Sequence, residues 1–159
     1  EVHLHVHNTL KADQWLVGIL NFKRVMSDND STLYISNTHR ADTRCIVTMD
    51  PSKPELQGTG SVHHIAWRVK DDEELMTMHA KINALNLSNS SIVDRYYFKS
   101  LYVRDYNRLL FEFATDEPGY TIDETLDELG KQLSLAPVLE PYRKTIEKNI
   151  KPLNTTNES

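Results

Sequence analysis

Two stretches decide the fold of this chain: EVHLHVH at residues 1–7 and VHHIAWRV at residues 62–69. In both, apolar side chains alternate with polar or small ones, which is the period-two pattern of a strand with one buried face. Laying Val6 against Val69 reveals an internal repeat of about 63 residues, the difference between the two numbers. The repeat predicts two similar modules that share one core.

Each repeat predicts the same order of elements: one strand, one helix and three further strands. The helices are indicated by apolar residues at helical spacing, and the second one begins with acidic residues that suit its N-terminal dipole. In that helix Leu75, Met78, Ile82 and Leu85 share one side. The predicted strands are 2–6, 22–26, 32–36 and 44–49, then 62–69, 92–97, 101–104 and 109–115; the predicted helices are 10–20 and 71–86.

The predicted organisation of the chain has four parts. A first βαβββ module covers residues 1–50, a Pro- and Gly-containing connector 51–60, a second module 61–116, and a C-terminal tail 117–159. In the tail the sequence predicts helices at 122–129 and 141–148 and a disordered end at 154–159. The expected fold class is therefore α+β, with two paired βαβββ modules and a helical tail.

Composition narrows the classes of partner and location. The net charge of -5 gives no electrostatic reason to expect nucleic acid or an anionic membrane as partner. No apolar run approaches the ~20 residues of a membrane span, and no signal peptide is recognisable. The single cysteine, Cys45, has apolar neighbours and indicates a buried thiol in a reducing compartment. A cytoplasmic protein is predicted, and from the abrupt start without Met we expect that the natural N-terminus has been removed or lies elsewhere.

Strand alternation also predicts which side chains face away from the core. Tyr102 and Glu112 lie between core positions of their strands, and His64 alternates with the core residues Ile65, Trp67 and Val69, so all three are expected on one concave sheet face. Glu112 stands out, because a carboxylate among apolar neighbours is costly to bury unless a cation or strong donors compensate it. Arg95 is a further candidate from a strand of less clear alternation. The predicted core positions are Ile65, Trp67, Val69, Leu101, Val103, Phe111 and Phe113.

A histidine and a carboxylate on one face are half of a known metal-binding arrangement. Two His and one carboxylate, with positions left open, suit Fe(II) and oxygen chemistry, and Mn(II) accepts similar ligands. His64 and Glu112 alone make a weak motif. They also fit an ordinary buried hydrogen-bonded pair, just as Arg95 and Glu112 fit a structural ion pair and Tyr102 fits a strand tyrosine with a solvated hydroxyl.

Longer stretches resemble a known family. GSVHHIAWRV (60–69), VDRYYFKSLY (93–102), LFEFATDEPGY (110–120) and LEPYR (139–143) are together similar to the bacterial ring-cleaving dioxygenases of the glyoxalase/vicinal-oxygen-chelate superfamily. The resemblance is to the hydroquinone-type enzymes, which contain four βαβββ modules, and it covers nearly the whole chain. It implies that this chain matches modules three and four, the C-terminal half of a protein about twice as long.

The resemblance also implies roles for individual residues. His64 and Glu112 match metal ligands for Fe(II) or Mn(II), His63 matches a histidine that supports them, and Arg95 and Tyr102 match active-site polar residues. The remaining ligand of these enzymes is a His in the N-terminal half. The substrates implied are a hydroquinone or catechol-like aromatic diol and O2, and the isolated chain is expected to be inactive for lack of the third ligand.

Two alternatives stay open at this point. His3, His5 and His7 share one strand face and could replace the absent ligand, although the repeat places Glu1, not a histidine, opposite His64. The same fold also serves glyoxalase-type metal-dependent lyases or isomerases and non-enzymatic small-molecule-binding modules. Expected partners are the aromatic diol, O2 and the N-terminal half, and an exposed half-interface favours a homo-oligomer.

Overall fold

The structure, a computed structural model, describes residues 1–36, 43–52 and 58–151. It is an α+β fold in which two βαβββ units each form a four-stranded mixed sheet, as predicted. Sheet A and its helix comprise β1 (Val2–Val6), α1 (Thr9–Leu16), β2 (Phe22–Ser27), β3 (Ser31–Ser36) and β4 (Arg44–Met49). Sheet B and its helix comprise β5 (Ile65–Arg68), α2 (Asp72–Ala84), β6 (Asn89–Asp94), β7 (Lys99–Arg104) and β8 (Leu110–Ala114).

The two sheets have the same topology. Sheet A has the order β1-β4-β3-β2 and sheet B the order β5-β8-β7-β6. In each, the first strand pairs in parallel with the last, and the other pairs are antiparallel. A parallel pair needs a long crossover connection, and each module's helix lies within that crossover. The internal repeat is therefore a repeat of topology as well as of sequence.

Both main helices begin at capping side chains that the sequence supplies. Asn8 accepts a hydrogen bond from the amide of Lys11 at the start of α1, and Asp71 accepts one from Glu74 at the start of α2. Helix α1 ends at Leu16, earlier than the predicted residue 20, and Gly18 follows in a turn, a residue with low helix propensity. The helices so anchored cover the apolar faces of both sheets.

One hydrophobic core joins the two modules. The indole ring of Trp15 on α1 is fully buried and lies 5.0 Å from the ring of Phe111 on β8 of the other module. Phe22 of sheet A meets Trp67 of sheet B at 5.3 Å between ring centroids. At the edge of this core the Nζ of Lys81 donates to the carbonyl of Ile19 at 2.8 Å. The modules therefore fold against each other rather than as independent units.

The predicted core positions of sheet B are mostly confirmed. Phe111, Phe113, Leu101 and Val103 are at most 1% exposed, and the thiol of Cys45 in sheet A is also buried. Ile65 and Trp67 are partly buried against the same core. Leu85 was predicted on the same side of the helix as Leu75 and Ile82, but α2 ends at Ala84 and Leu85 is exposed. Strand β5 is also shorter than predicted, since Val62–His64 precede its first paired residue.

The tail differs from its prediction in one helix. Residues 122–129 do not form a helix: a short 3-10 turn at Tyr120–Ile122 is followed by further turns. Ile122 and Leu126 are exposed there, and a short helix with no surface to pack against is only marginally stable. The second predicted helix is confirmed as a 3-10 turn, Glu140–Tyr142, leading into α3, Arg143–Asn149. The predicted disordered end lies outside the described residues.

No helix within the described ranges has both the length and the hydropathy needed to cross a bilayer.

Candidate metal centre

Three of the predicted site residues meet on one face of sheet B. Strand register places Glu112 of β8 between Ala66 of β5 and Tyr102 of β7. His64 lies two residues before Ala66, so its side chain lies on the same face. The parallel β5–β8 pairing thus brings together a histidine and a carboxylate that are far apart in sequence.

His64 and Glu112 are in close contact, and the Glu112 side chain is much more deeply buried than that of His64. Nε2 of His64 lies 2.9 Å from Oε2 of Glu112, while the His64 side chain is 30% exposed and the Glu112 side chain only 6%. The other carboxylate oxygen, Oε1, is buried and has no hydrogen-bond partner. A buried unpartnered oxygen on an ionisable group costs free energy, which a bound cation would offset.

His63 supports the orientation of His64. The Nδ1 atoms of the two rings are 2.8 Å apart, and the rings are nearly perpendicular, at 86°. One Nδ1 must carry the proton and the other must accept it, so the two tautomers are linked. If Nε2 of His64 binds a cation, its proton resides on Nδ1 and is donated to His63. This is the arrangement by which a neighbouring acceptor fixes a ligand imidazole.

Tyr102 lies on the same face of sheet B as His64 and Glu112. Its ring is perpendicular to that of His64, with centroids 5.3 Å apart. Burial raises the pKa of the Tyr102 hydroxyl to about 12, and a hydrogen bond to Glu112 and the charge of that carboxylate act in the same direction. The hydroxyl is therefore protonated at neutral pH and is a donor toward the site.

A bulge in strand β6 fixes the backbone at Tyr102, and sequence analysis did not identify it. The pairing of β6 with β7 is interrupted between Asn89 and Ile92. The Oγ of Ser90 accepts the hydrogen bond of the Tyr102 amide at 2.9 Å, and Ser91 has a φ of 59°. Two consecutive serines in a strand were the sequence feature from which this bulge could have been suspected.

Arg95 lies at the rim of the site. Its guanidinium carbon is 5.9 Å from the centre of the Tyr102 ring, within the range of a cation–π contact, and its Nε donates to the buried Oγ of Ser100 at 3.5 Å. The considered ion pair of Arg95 with Glu112 is not formed; Glu112 is paired with His64 instead. Ser100 was not singled out from the sequence, since small buried hydroxyls carry no distinctive pattern.

The described residues provide two ligands for a metal, not three. No group of three or more His, Cys, Asp or Glu side chains in the described ranges is arranged to hold a metal ion. His3 and His5 lie exposed on β1 of sheet A and are paired with Glu1 and Asp50, so neither joins His64 and Glu112. An imidazole nitrogen beside a buried carboxylate fits Fe(II) or Mn(II), with further ligands coming from outside this pair.

Comparison with curated proteins finds clear relatives, although no family model matches the sequence. The chain is 54% identical over 99 residues to "Putative ring-cleaving dioxygenase MhqA" of Bacillus subtilis, covering 62% of this chain and 31% of that protein. It is 44% identical over 145 residues to "Putative ring-cleaving dioxygenase MhqE" of the same organism, covering 91% and 47%. A chlorohydroquinone/hydroquinone 1,2-dioxygenase of Sphingobium indicum is 37% identical over 84 residues, covering 52% and 26%. The chain spans at most about half the length of these relatives.

Solved structures give the same result for the fold. The crystal structure of a protein from Bacillus subtilis named "putative dioxygenase" matches with a TM-score of 0.87 and 32% identity, covering 95% of this chain and 48% of that one. A glyoxylase/bleomycin resistance protein/dioxygenase domain from Frankia matches with a TM-score of 0.63 and 13% identity, covering 76% and 92%. The chain therefore has the glyoxalase/bleomycin resistance/dioxygenase fold, and its sequence is similar to about half or less of the length of proteins named as ring-cleaving dioxygenases.

Proposed function

We propose that this chain is the C-terminal half of a metal-dependent dioxygenase that opens the ring of a hydroquinone or catechol-like diol with O2. His64 and Glu112 are two of the three protein ligands of its Fe(II) or Mn(II). The observation that carries the proposal is the buried, unpartnered Oε1 of Glu112 beside Nε2 of His64. The similarity to ring-cleaving dioxygenases supports it.

The bound metal would acidify and orient the diol and leave room for O2 beside it. The residues of this chain prepare that site. His63 holds the imidazole of His64 in one tautomer through the 2.8 Å contact between their Nδ1 atoms. Its part is to position the ligand rather than to touch the substrate.

Tyr102 and Arg95 supply the polar groups at the opening. Because its pKa is raised to about 12, the Tyr102 hydroxyl keeps its proton at neutral pH and can turn it from Glu112 to an oxygen of the diol. Arg95 adds a permanent positive charge at the rim, where it attracts a deprotonated substrate oxygen. Both groups favour an anionic oxygenated ligand over an apolar one.

The third ligand is proposed to be a histidine of the N-terminal half. Two observations support this. The described part of the chain gathers no third His, Cys, Asp or Glu at the site, and the relatives are about twice as long as this chain. A glyoxalase-type site with ligands from both modules is disfavoured, because Ile46 stands where the first module would need a counterpart of Glu112.

The test uses a protein in which this chain is preceded by its N-terminal half, loaded with Fe(II) or Mn(II). O2 uptake with hydroquinone is measured for the parent and for His64→Ala and Glu112→Ala. We expect metal occupancy to be lost and turnover to fall by at least about 100-fold in each, since removal of a ligand exceeds the 10- to 100-fold effect of supporting residues.

His79→Ala and Glu73→Ala are matched controls, because both residues lie on α2, away from the site. Both should retain metal and turnover. If metal occupancy and O2 uptake survive His64→Ala and Glu112→Ala, the site assignment is wrong. If this chain alone turns over hydroquinone as fast as the longer protein, the third ligand does not come from the N-terminal half.

A further inference from the structure

The histidines of β1 form a second cluster, on sheet A, that the proposed dioxygenase site does not use. His3 and His5 are exposed, while Val2, Leu4 and Val6 between them turn toward the core. Residues two apart on a strand share a face and are about 6.6 Å apart along it, from twice the rise of about 3.3 Å. Two imidazoles at this spacing can converge on one small ion above the strand.

Each histidine is accompanied by its own carboxylate. Oε1 of Glu1 lies 2.9 Å from Nε2 of His3, and Oδ2 of Asp50 lies 4.0 Å from Nδ1 of His5. Glu1 is therefore hydrogen-bonded to one nitrogen of His3, and Asp50 lies beside one nitrogen of His5 at ion-pair distance; the other nitrogens, Nδ1 of His3 and Nε2 of His5, are the candidate ligand atoms. A carboxylate on the far nitrogen is the usual support of a metal-binding imidazole, because it fixes the tautomer and raises the basicity of the ligand nitrogen.

Asp50 lies at the end of β1, near the imidazole of His7 as well as that of His5. The pKa of Asp50 is lowered, mainly by hydrogen bonds from Ser52 and to a smaller extent by the neighbouring His5 and His7. The Asp50 amide also donates to the carbonyl of Val6 at 2.9 Å, which holds this carboxylate against the end of β1. The position of Asp50 beside His5 is thus set by the backbone rather than by a free side chain.

From this geometry we propose that His3 and His5 form a binding site for a divalent transition-metal ion that prefers imidazole, of which Zn²⁺ is the representative. Water completes the coordination, because no group of three candidate ligands is gathered among the described residues. Imidazole ligands favour Zn²⁺ and Cu²⁺ over Mn²⁺ and Fe²⁺, so this site differs in preference from the histidine–carboxylate pair of sheet B. The inference does not depend on the proposed dioxygenase function.

The test is calorimetric titration of Zn²⁺ into the full chain carrying Glu112→Ile, which removes the carboxylate of sheet B. Adding His3→Ala and His5→Ala together should weaken Zn²⁺ binding by more than about 100-fold, whereas Asp50→Asn should weaken it by about tenfold, the effect of losing a supporting carboxylate. Adding His79→Ala instead is the matched control and should leave the affinity unchanged, because it removes an imidazole from α2.

The ring nitrogens of the histidines give a second readout by NMR. Zn²⁺ should shift the ¹⁵N resonances of His3 and His5 while those of His79 stay in place. Zn²⁺ binding of equal affinity with and without His3 and His5 would overturn the proposal. So would ring shifts confined to His63 and His64.

Discussion

Sheets A and B are built in the same register but carry different side chains at the same positions. Val2 lies opposite Cys45 in sheet A, and Ile65 lies opposite Phe111 in sheet B. From these pairs the counterparts follow directly. Where sheet B has His64, Tyr102 and Glu112, sheet A has Glu1, Leu33 and Ile46.

Even the irregularities of the two sheets coincide. The pairing of β2 with β3 shifts between Arg24 and Met26, next to Leu33, and the pairing of β6 with β7 shifts next to Tyr102. The bulge is thus a property of the module, present with or without a tyrosine or a ligand pair beside it. Topology, register and bulge are therefore common to both modules, while the side chains at the positions of His64, Tyr102 and Glu112 decide whether a module holds a histidine–carboxylate pair.

The largest expected change in the free energy of unfolding comes from a variant that tests whether the two modules depend on one core. Trp15→Ala removes a fully buried indole of the first module whose ring packs on Phe111 of the second. We expect the free energy of unfolding to fall by about 3–5 kcal/mol, the usual cost of such a truncation. Urea denaturation followed by circular dichroism should show both modules unfolding in a single, earlier transition.

The exposed Met76 provides the control, since Met76→Ala should change stability by less than about 0.5 kcal/mol. Two separate transitions in Trp15→Ala, with one module keeping its original stability, would contradict the shared core.

The hairpin turns of the two modules should contribute to the free energy of unfolding with opposite pH dependence. Burial raises the pKa of Asp105, in the β7–β8 turn, to about 6, whereas backbone hydrogen bonds from Asp30 and Ser31 lower that of Asp28 in the β2–β3 turn. The folded-state pKa of Asp105 lies above its unfolded value, so its stabilising contribution is fully present below pH ~4 and is lost as pH rises through about 6. For Asp28 the sign is opposite, and its contribution is lost as pH falls through its lowered pKa.

Asp105→Asn keeps an acceptor for the amides of Asn107 and Leu109 but removes the buried charge. It should therefore stabilise the chain at pH 7 by about 2 kcal/mol and flatten the pH dependence of the free energy of unfolding between about pH 4 and 6. Asp28→Asn, the comparison variant, should destabilise at pH 7. A loss of stability at pH 7 in Asp105→Asn would contradict this prediction, since it would show that interactions in the folded state offset the cost of burying the charged carboxylate.

The smallest expected change in the free energy of unfolding comes from removing the buried carboxylate of the site. Glu112→Ile copies the residue of the first module and removes the buried oxygen that has no partner. In metal-free buffer with a chelator, the free energy of unfolding should rise by about 1 kcal/mol, because replacing a buried charge by a packed apolar side chain is often neutral or stabilising. A decrease of more than about 1 kcal/mol in urea denaturation would mean that Glu112 serves the fold rather than a ligand.

Strand alternation predicted the sheets and the meeting of His64, Tyr102 and Glu112, because Tyr102 and Glu112 lie between buried residues and His64 alternates with Ile65 and Trp67, which pack against the core. It could not predict contacts that depend on geometry outside the ladder. The Nδ1 contact of His63 with His64 arises before β5 begins, and the Ser90 bulge has no periodic pattern. The expected helix at 122–129 was wrong because Ile122 and Leu126 have periodic spacing but no surface that buries them.

The proposed function depends on a cation binding between His64 and Glu112 on sheet B. Mn²⁺ added in small amounts to the ¹⁵N-labelled chain tests it directly, since the paramagnetic ion broadens nearby amide resonances even when binding is weak. We expect Ala66, Glu112 and their neighbours on β5 and β8 to broaden first and Glu112→Ile to abolish this effect. Equal broadening in Glu112→Ile, or broadening that begins on β1 and β4 of sheet A while sheet B stays sharp, would contradict it.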